Sequence, residues 1–143
     1  MSDAKNISPI NDDIKINQAS NEYIYDFEDS IPNDPLVITF YKYQRYQGGS
    51  GFHAPHSGAY SILSSSSDNA IYFHRPIKSF SAYFDTGMAY SVSAFNINGH
   101  LLATQITLDS QNQFIQLESN QNIYEVQVRA SGHTSYSHWT MDY

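Results

Sequence analysis

A chain of 143 residues is long enough to bury one hydrophobic core, and without cysteine it can form neither a disulfide nor a thiolate zinc site. Its seven basic and fourteen acidic residues give a formal net charge of −7, which excludes a broad basic surface for nucleic acid. No apolar run reaches the roughly eighteen residues that a transmembrane helix needs.

The first 21 residues are polar, and their isoleucines are isolated from one another. This composition predicts a flexible leader over residues 1–21, followed by one domain over residues 22–143. Residues 1–20 also lack the apolar stretch of a signal peptide. We therefore expect a protein that stays inside the cell, leaves it by a route without such a signal, or has lost a signal segment.

Beyond the leader, aromatic and β-branched residues alternate with polar ones in short segments separated by Gly, Asn and Ser. The segments predicted as strands are residues 23–27, 36–43, 59–63, 70–73, 79–84, 90–97, 101–108, 115–117, 123–130 and 138–143. Asn98-Gly99 predicts a tight hairpin, and the polar run 64–69 predicts a turn whose flanking strands pair. Roughly eight to ten short strands without helices indicate an all-β, antiparallel β-sandwich of jelly-roll type, with a closed barrel as the alternative.

A glycine-rich stretch over residues 41–60 predicts a long loop that is rich in aromatic and basic side chains. Aromatic rings stack on the apolar faces of sugars, while Arg and His form hydrogen bonds with hydroxyl groups, and loops on a rigid scaffold often carry function. The alternative is an ordinary loop that is held by its own aromatic residues. The candidate ligand-binding residues are Tyr43, Arg45, Tyr46, Phe52, His53 and His56.

Other kinds of chemistry find little support in the sequence. His53 and His56 could offer two nitrogens to a transition metal, but Pro55 between them disfavours a helix that would align them. Gly49-Ser50-Gly51 is only part of a nucleophile elbow, and no glycine-rich phosphate loop is present. We therefore expect no enzymatic activity. The alternation of Trp139 with apolar neighbours favours a core position over a ligand platform.

Four segments of the chain together resemble a known family. They are YDFED at residues 25–29, PIKSFS at 76–81, SVSAFNINGHLL at 91–102 and WTMDY at 139–143. Their order and spacing over residues 23–143 resemble the galactose-binding-domain-like jelly roll, which includes many bacterial carbohydrate-binding modules. The resemblance implies a β-sandwich that binds glycans.

The resemblance also implies a structural calcium ion where the first and last strands meet. The matching positions are Glu28, Asp29 and Asp142, and carboxylate oxygens are the ligands that calcium prefers. Tyr143 stands where the family often has a second acidic residue, which removes one expected ligand. The alternative is a solvated acidic edge that prevents strand pairing.

These observations predict a non-catalytic, lectin-like bacterial module that binds a glycan or another cell-surface ligand and is stabilised by calcium. Binding to a single sugar would be weak, so a homo-oligomer would strengthen it through several sites. The alternative is a protein-interaction or structural module of a bacterial toxin, phage or secretion assembly. In that case the tyrosine-rich surface, with twelve Tyr in the chain, would meet a protein partner.

Overall fold

The computed structural model describes residues 15–18, 21–32, 34–48, 55–87, 89–108, 110–130 and 139–142. The strands are β1 (Lys15–Gln18), β2 (Asn21–Ile24), β3 (Ile38–Tyr41), β4 (Gln44–Gln47), β5 (Tyr60–Leu63), β6 (Ala70–Thr86), β7 (Tyr90–Phe95), β8 (Leu101–Ile106), β9 (Ser110–Ala130) and β10 (Trp139–Asp142). Every pairing between these strands is antiparallel, which confirms the predicted all-β class. Within these ranges, no helix is long and apolar enough to cross a membrane.

The two long strands β6 and β9 organise the sheet. They pair with each other from Ile71↔Val126 to Thr86↔Ser110, and the register shifts on either side of Ile77. Such bulges bend a strand and increase its twist. Each long strand is therefore divided into two parts that serve different layers.

The first layer has the order β3, β6 (70–77), β9 (123–130), β7 and β8. The second layer has the order β4, β5, β10, β6 (79–86) and β9 (110–118), and β1 with β2 attaches to the middle of β6. Alternate residues of each layer point inward, as along β7, where Tyr90, Val92 and Ala94 are buried.

Buried Trp139 lies where the two layers meet. Its ring is 5.9 Å from the ring of Phe84 in the second layer and 6.1 Å from that of Tyr90 in the first. The strands that carry Trp139 and Tyr90 are three places apart in the sheet order, about 14 Å in a flat sheet. The bent sheet thus folds back on itself in a sandwich-like arrangement, and the core position expected for Trp139 is confirmed. The jelly-roll connections stay a prediction.

The segment after β5 joins different strands from those expected. Residues 59–63 and 70–73 do not pair around the serine-rich turn, because β5 pairs with β4 and β10 while the start of β6 pairs with β3. The turn instead crosses from the second layer to the first. Buried Asn69 holds this crossing, since its amide donates to the carbonyls of Ser66 and Val128 and accepts the N–H of Val128. The predicted hairpin at Asn98-Gly99 is confirmed, with Gly99 at φ 83°.

Residues 15–18, which belong to the segment predicted as a leader, form the strand β1. Residues 15–18 pair with β2, and Ile16 lies opposite Phe80 of β6. Residues 1–14, 19 and 20 lie outside the described residues. The sequence contains no alternating pattern here, because a strand of four residues with one isoleucine is too short to display one.

Candidate functional site

The outward surface of the second layer carries a row of aromatic side chains. Strand register places Tyr46 opposite Ser61, and Tyr83 opposite Phe114, on the side away from the core residues Ile62 and Phe84. His56, from the segment before β5, stacks on Tyr83. We call Tyr46, His56, Tyr83 and Phe114 the aromatic row.

The centre of the aromatic row is a tight stack. The rings of His56 and Tyr83 have centroids 3.5 Å apart and planes only 4° from parallel. Tyr83 and Phe114 follow at 5.2 Å, tilted by 55°. His56 is exposed, and Phe114 is 49% exposed, so flat apolar surface faces solvent on a rigid pair of strands.

A carboxylate fixes the segment that carries His56. The Glu28 side chain accepts the backbone N–H groups of Ala59 and Tyr60, each at 3.1 Å. Gly58 makes this approach possible, because it adopts φ 67° and a Cβ atom there would lie 2.4 Å from Oε2 of Glu28. The position of His56 over Tyr83 therefore depends on residues of a distant part of the chain.

Arg45 reinforces the same region from β4. Its Nε donates to the carbonyl of Phe27 at 2.7 Å, and its Nη2 donates to the carbonyl of Glu28. The guanidinium also lies over the ring of Tyr60, 3.6 Å from its centroid. Phe27 has φ 60°, an uncommon value for a residue other than glycine, and the Arg45 contact accompanies this turn.

The six predicted ligand-binding residues fall into four groups. Tyr46 and His56 belong to the aromatic row, whereas Phe52 and His53 lie outside the described residues. Arg45 is engaged with the turn at Phe27 and Glu28, as given above. The remaining residue, Tyr43, packs 5.9 Å from Trp139 and donates its hydroxyl to Asn69, and burial raises its pKa well above the usual value.

Tyr83 and Phe114 are the members of the aromatic row that the sequence reasoning missed. Alternation places Tyr83 opposite in orientation to Phe80 and Phe84, so the pattern does contain a signal for an outward aromatic residue. The signal for Phe114 is weaker, because it begins a short alternation with Ile115 and Leu117. The stack of His56 on Tyr83 cannot be found from the sequence, because the two residues meet only in the tertiary structure.

The predicted calcium ligands are partly accounted for by protein contacts. The Glu28 carboxylate accepts two backbone N–H groups, and the Glu28 carbonyl accepts a hydrogen bond from Arg45. Asp29 is exposed. Asp142 pairs with Tyr83 through the backbone, and its side chain lies outside the described residues. Among the residues that the structure does describe, no three His, Asp or Glu side chains form a group that could hold a metal ion.

A shallow cleft of about 260 Å³ lies on the first layer, on the parts of β6 and β9 that the register shifts at Ile77 separate from the aromatic row. Tyr72, His74 and Tyr124 line it together with the tip of the β7–β8 hairpin. The Nε2 of His74 is 2.7 Å from the hydroxyl of Thr39. This cleft provides a matched surface against which the aromatic row can be tested.

Comparison with known proteins finds no matching family model, no matching curated protein and no matching solved structure. The function is therefore argued from the site itself.

Proposed function

We propose that the chain is a non-catalytic, lectin-like module that binds carbohydrate through the aromatic row. The observation that carries the proposal is the exposed stack of His56 on Tyr83 beside Phe114. Flat rings on paired strands lose little entropy when a ligand binds, and they offer apolar faces to the C–H surface of a sugar ring. The resemblance to galactose-binding-like modules is part of the same proposal.

Polar groups beside the rings support a sugar ligand. Gln116 is exposed and lies two residues after Phe114, on the same side of β9, with its amide 3.4 Å from the carboxylate of Glu118. Ser57 places its hydroxyl 3.1 Å from Nδ1 of His56. Amide, carboxylate and hydroxyl groups together can donate to and accept from sugar hydroxyls, whereas the rings supply contact area.

The proposal is tested by binding of the purified protein to a glycan array, followed by titration of the best glycan. Phe114→Ala and His56→Ala should each weaken binding about tenfold, since loss of a stacked ring corresponds to roughly 1–1.5 kcal/mol. Tyr72→Ala, on the first layer, is the matched control and should bind as wild type does. Thermal melts establish that each variant is folded.

Three outcomes would contradict this proposal in different ways. Wild-type affinity in both Phe114→Ala and His56→Ala would remove the aromatic row as the site, and loss of binding in Tyr72→Ala would move it to the first layer. A blank array for the wild-type protein would overturn carbohydrate binding altogether.

A protein-interaction or structural module is the second candidate function. It is favoured by the exposed aliphatic side chains of β8, among them Leu101 and Ile106. In that case the expected partner is a protein, and self-association or binding to a protein would be found without any glycan dependence.

Calcium belongs to the proposal as a structural ion. Asp29 and Asp142 would supply carboxylates from the two ends of the domain, and Glu28 would use the lone pairs that its backbone partners leave available. Such an ion would join the turn after β2 to the last strand, next to the segment that carries His56.

A further inference from the structure

The strand β8 ends the sheet order and pairs with β7 on one side. No other strand in the described ranges pairs with its second side. Leu101 is 56% exposed and Ile106 is 54% exposed, and Ile97 and Leu108 beside the strand are 70% and 69% exposed. Half of the large apolar side chains that are exposed in the described structure thus lie along this edge.

Backbone geometry identifies which groups of β8 face outward. The N–H of Thr107 donates to the carbonyl of Tyr90, at 2.8 Å. In an antiparallel ladder, alternate residues bond to the same neighbour, so Gln105 and Ala103 also face β7. The N–H and C=O groups of Thr104 and Ile106 therefore point to the open side of the strand, where they can pair with a further strand.

The edge lacks the charged residues and prolines that usually prevent strands from pairing. Residues 97–108 (INGHLLATQITL) contain no Asp, Glu, Lys, Arg or Pro, although the chain carries a net charge of −7. Proteins protect open edges with charged residues, prolines or inward charges. The register shift between Ala94 and Phe95 makes Leu102 the extra residue of a bulge in β8, so the regular ladder that can pair with a further strand runs from Ala103 to Ile106.

We propose that β8 pairs with the β8 strand of a second copy of this chain, in an antiparallel, two-fold symmetric dimer. Copies of an acidic protein repel each other across most of their surface, and the uncharged segment 97–108 is a place where two of them can approach. A two-fold axis also makes the outward donors and acceptors of one strand complementary to those of its copy. Leu101 and Ile106 are removed from water in the same step.

The symmetry has a consequence for binding, and this step rests on the proposed carbohydrate function. A two-fold axis that pairs antiparallel edge strands runs perpendicular to the sheet, so each face of the sheet stays on the same side in both copies. The aromatic rows of the two copies then point in the same direction. Two weak sites on one side of a dimer would bind a glycan-covered surface with increased avidity.

The test measures molar mass by light scattering and sedimentation over a range of concentrations, without any glycan. Wild type should be dimeric at concentrations where Ile106→Lys and Thr104→Pro are monomeric. Proline at 104 removes an N–H on the open side and leaves the bonds of Gln105 and Ala103 to β7 in place. The matched control is Leu36→Lys, which adds the same charge at a side chain that is 72% exposed and remote from β8, and it should stay dimeric.

The outcomes separate this inference from the proposed function. A wild-type protein that is monomeric at all concentrations, or an Ile106→Lys variant that remains dimeric, would overturn the edge pairing. If Ile106→Lys disrupts the dimer and the glycan array is blank, the edge pairing is supported and only the carbohydrate function is overturned. Phe114→Ala should weaken glycan binding about tenfold and keep the dimer.

Discussion

The two strands at the ends of the sheet order, β4 and β8, differ in length and in the polarity of their side chains. At one end, β4 has four residues, and its Arg45 is engaged with the carbonyls of Phe27 and Glu28 and with the ring of Tyr60. At the other end, β8 has six residues without charge, and it exposes Leu101 and Ile106. The polar β4 edge thus fixes the turn at Phe27 and Glu28, whereas the apolar β8 edge leaves Leu101 and Ile106 exposed to solvent.

The largest effect on stability is expected from a substitution at Gly58, next to the β4 end of the sheet. Gly58→Ala forces a Cβ atom against the Glu28 carboxylate at φ 67°, and we expect a loss of about 1–3 kcal/mol in the free energy of unfolding. Gly99→Ala is the matched control, since φ there is 83° but nothing lies within 4 Å of the added atom. Denaturant unfolding measures both, and equal losses would show that the Glu28 contact is unimportant.

A chelator provides an intermediate test at the same end of the molecule. If calcium is bound, adding a chelator should lower the melting temperature, because an ion that binds only the folded state stabilises it by mass action. Asp29→Asn should melt lower than wild type in calcium and should no longer respond to the chelator. An unchanged wild-type melt would remove the calcium proposal, and the role of the Glu28 carboxylate would then be to hold the backbone N–H groups of Ala59 and Tyr60.

The smallest effect is expected at a surface pair away from both edges. The Ser66 hydroxyl and then Lys42, at 3.0 Å, hold the pKa of Asp68 below its usual value. The contribution of Asp68 to stability is therefore present at neutral pH and is lost as the pH falls below about 4, through the lowered folded-state pKa.

Asp68→Asn should therefore melt slightly below wild type at pH 7, and the difference should shrink as the pH is lowered past that point. Because both partners are largely exposed, the effect should also shrink in high salt. Thermal melts across pH and ionic strength measure it. A difference as large as that of Gly58→Ala would mean that exposed charges, rather than the Glu28 contact, dominate local stability.

Local sequence patterns predict the class of fold and, for many residues, the side of the sheet on which they lie. Alternation predicts strands because neighbouring side chains in a strand point to opposite faces, and it correctly places Trp139 and Val126 in the core. Asn98-Gly99 predicts its hairpin because glycine adopts the positive φ that a tight turn needs. These signals are local, so they can be found in a single sequence.

Which strands are neighbours, and therefore which residues form the candidate site, depends on tertiary contacts. Alternation does not specify a pairing partner, so it could not show that β5 lies beside β4 and β10, nor that β8 ends the sheet. Tyr43 and Arg45 belong to the predicted loop by sequence, yet contacts with Asn69 and with the turn at Phe27 engage them elsewhere. His56 meets Tyr83 because the Glu28 carboxylate fixes the segment before β5, a contact between residues that no local pattern connects.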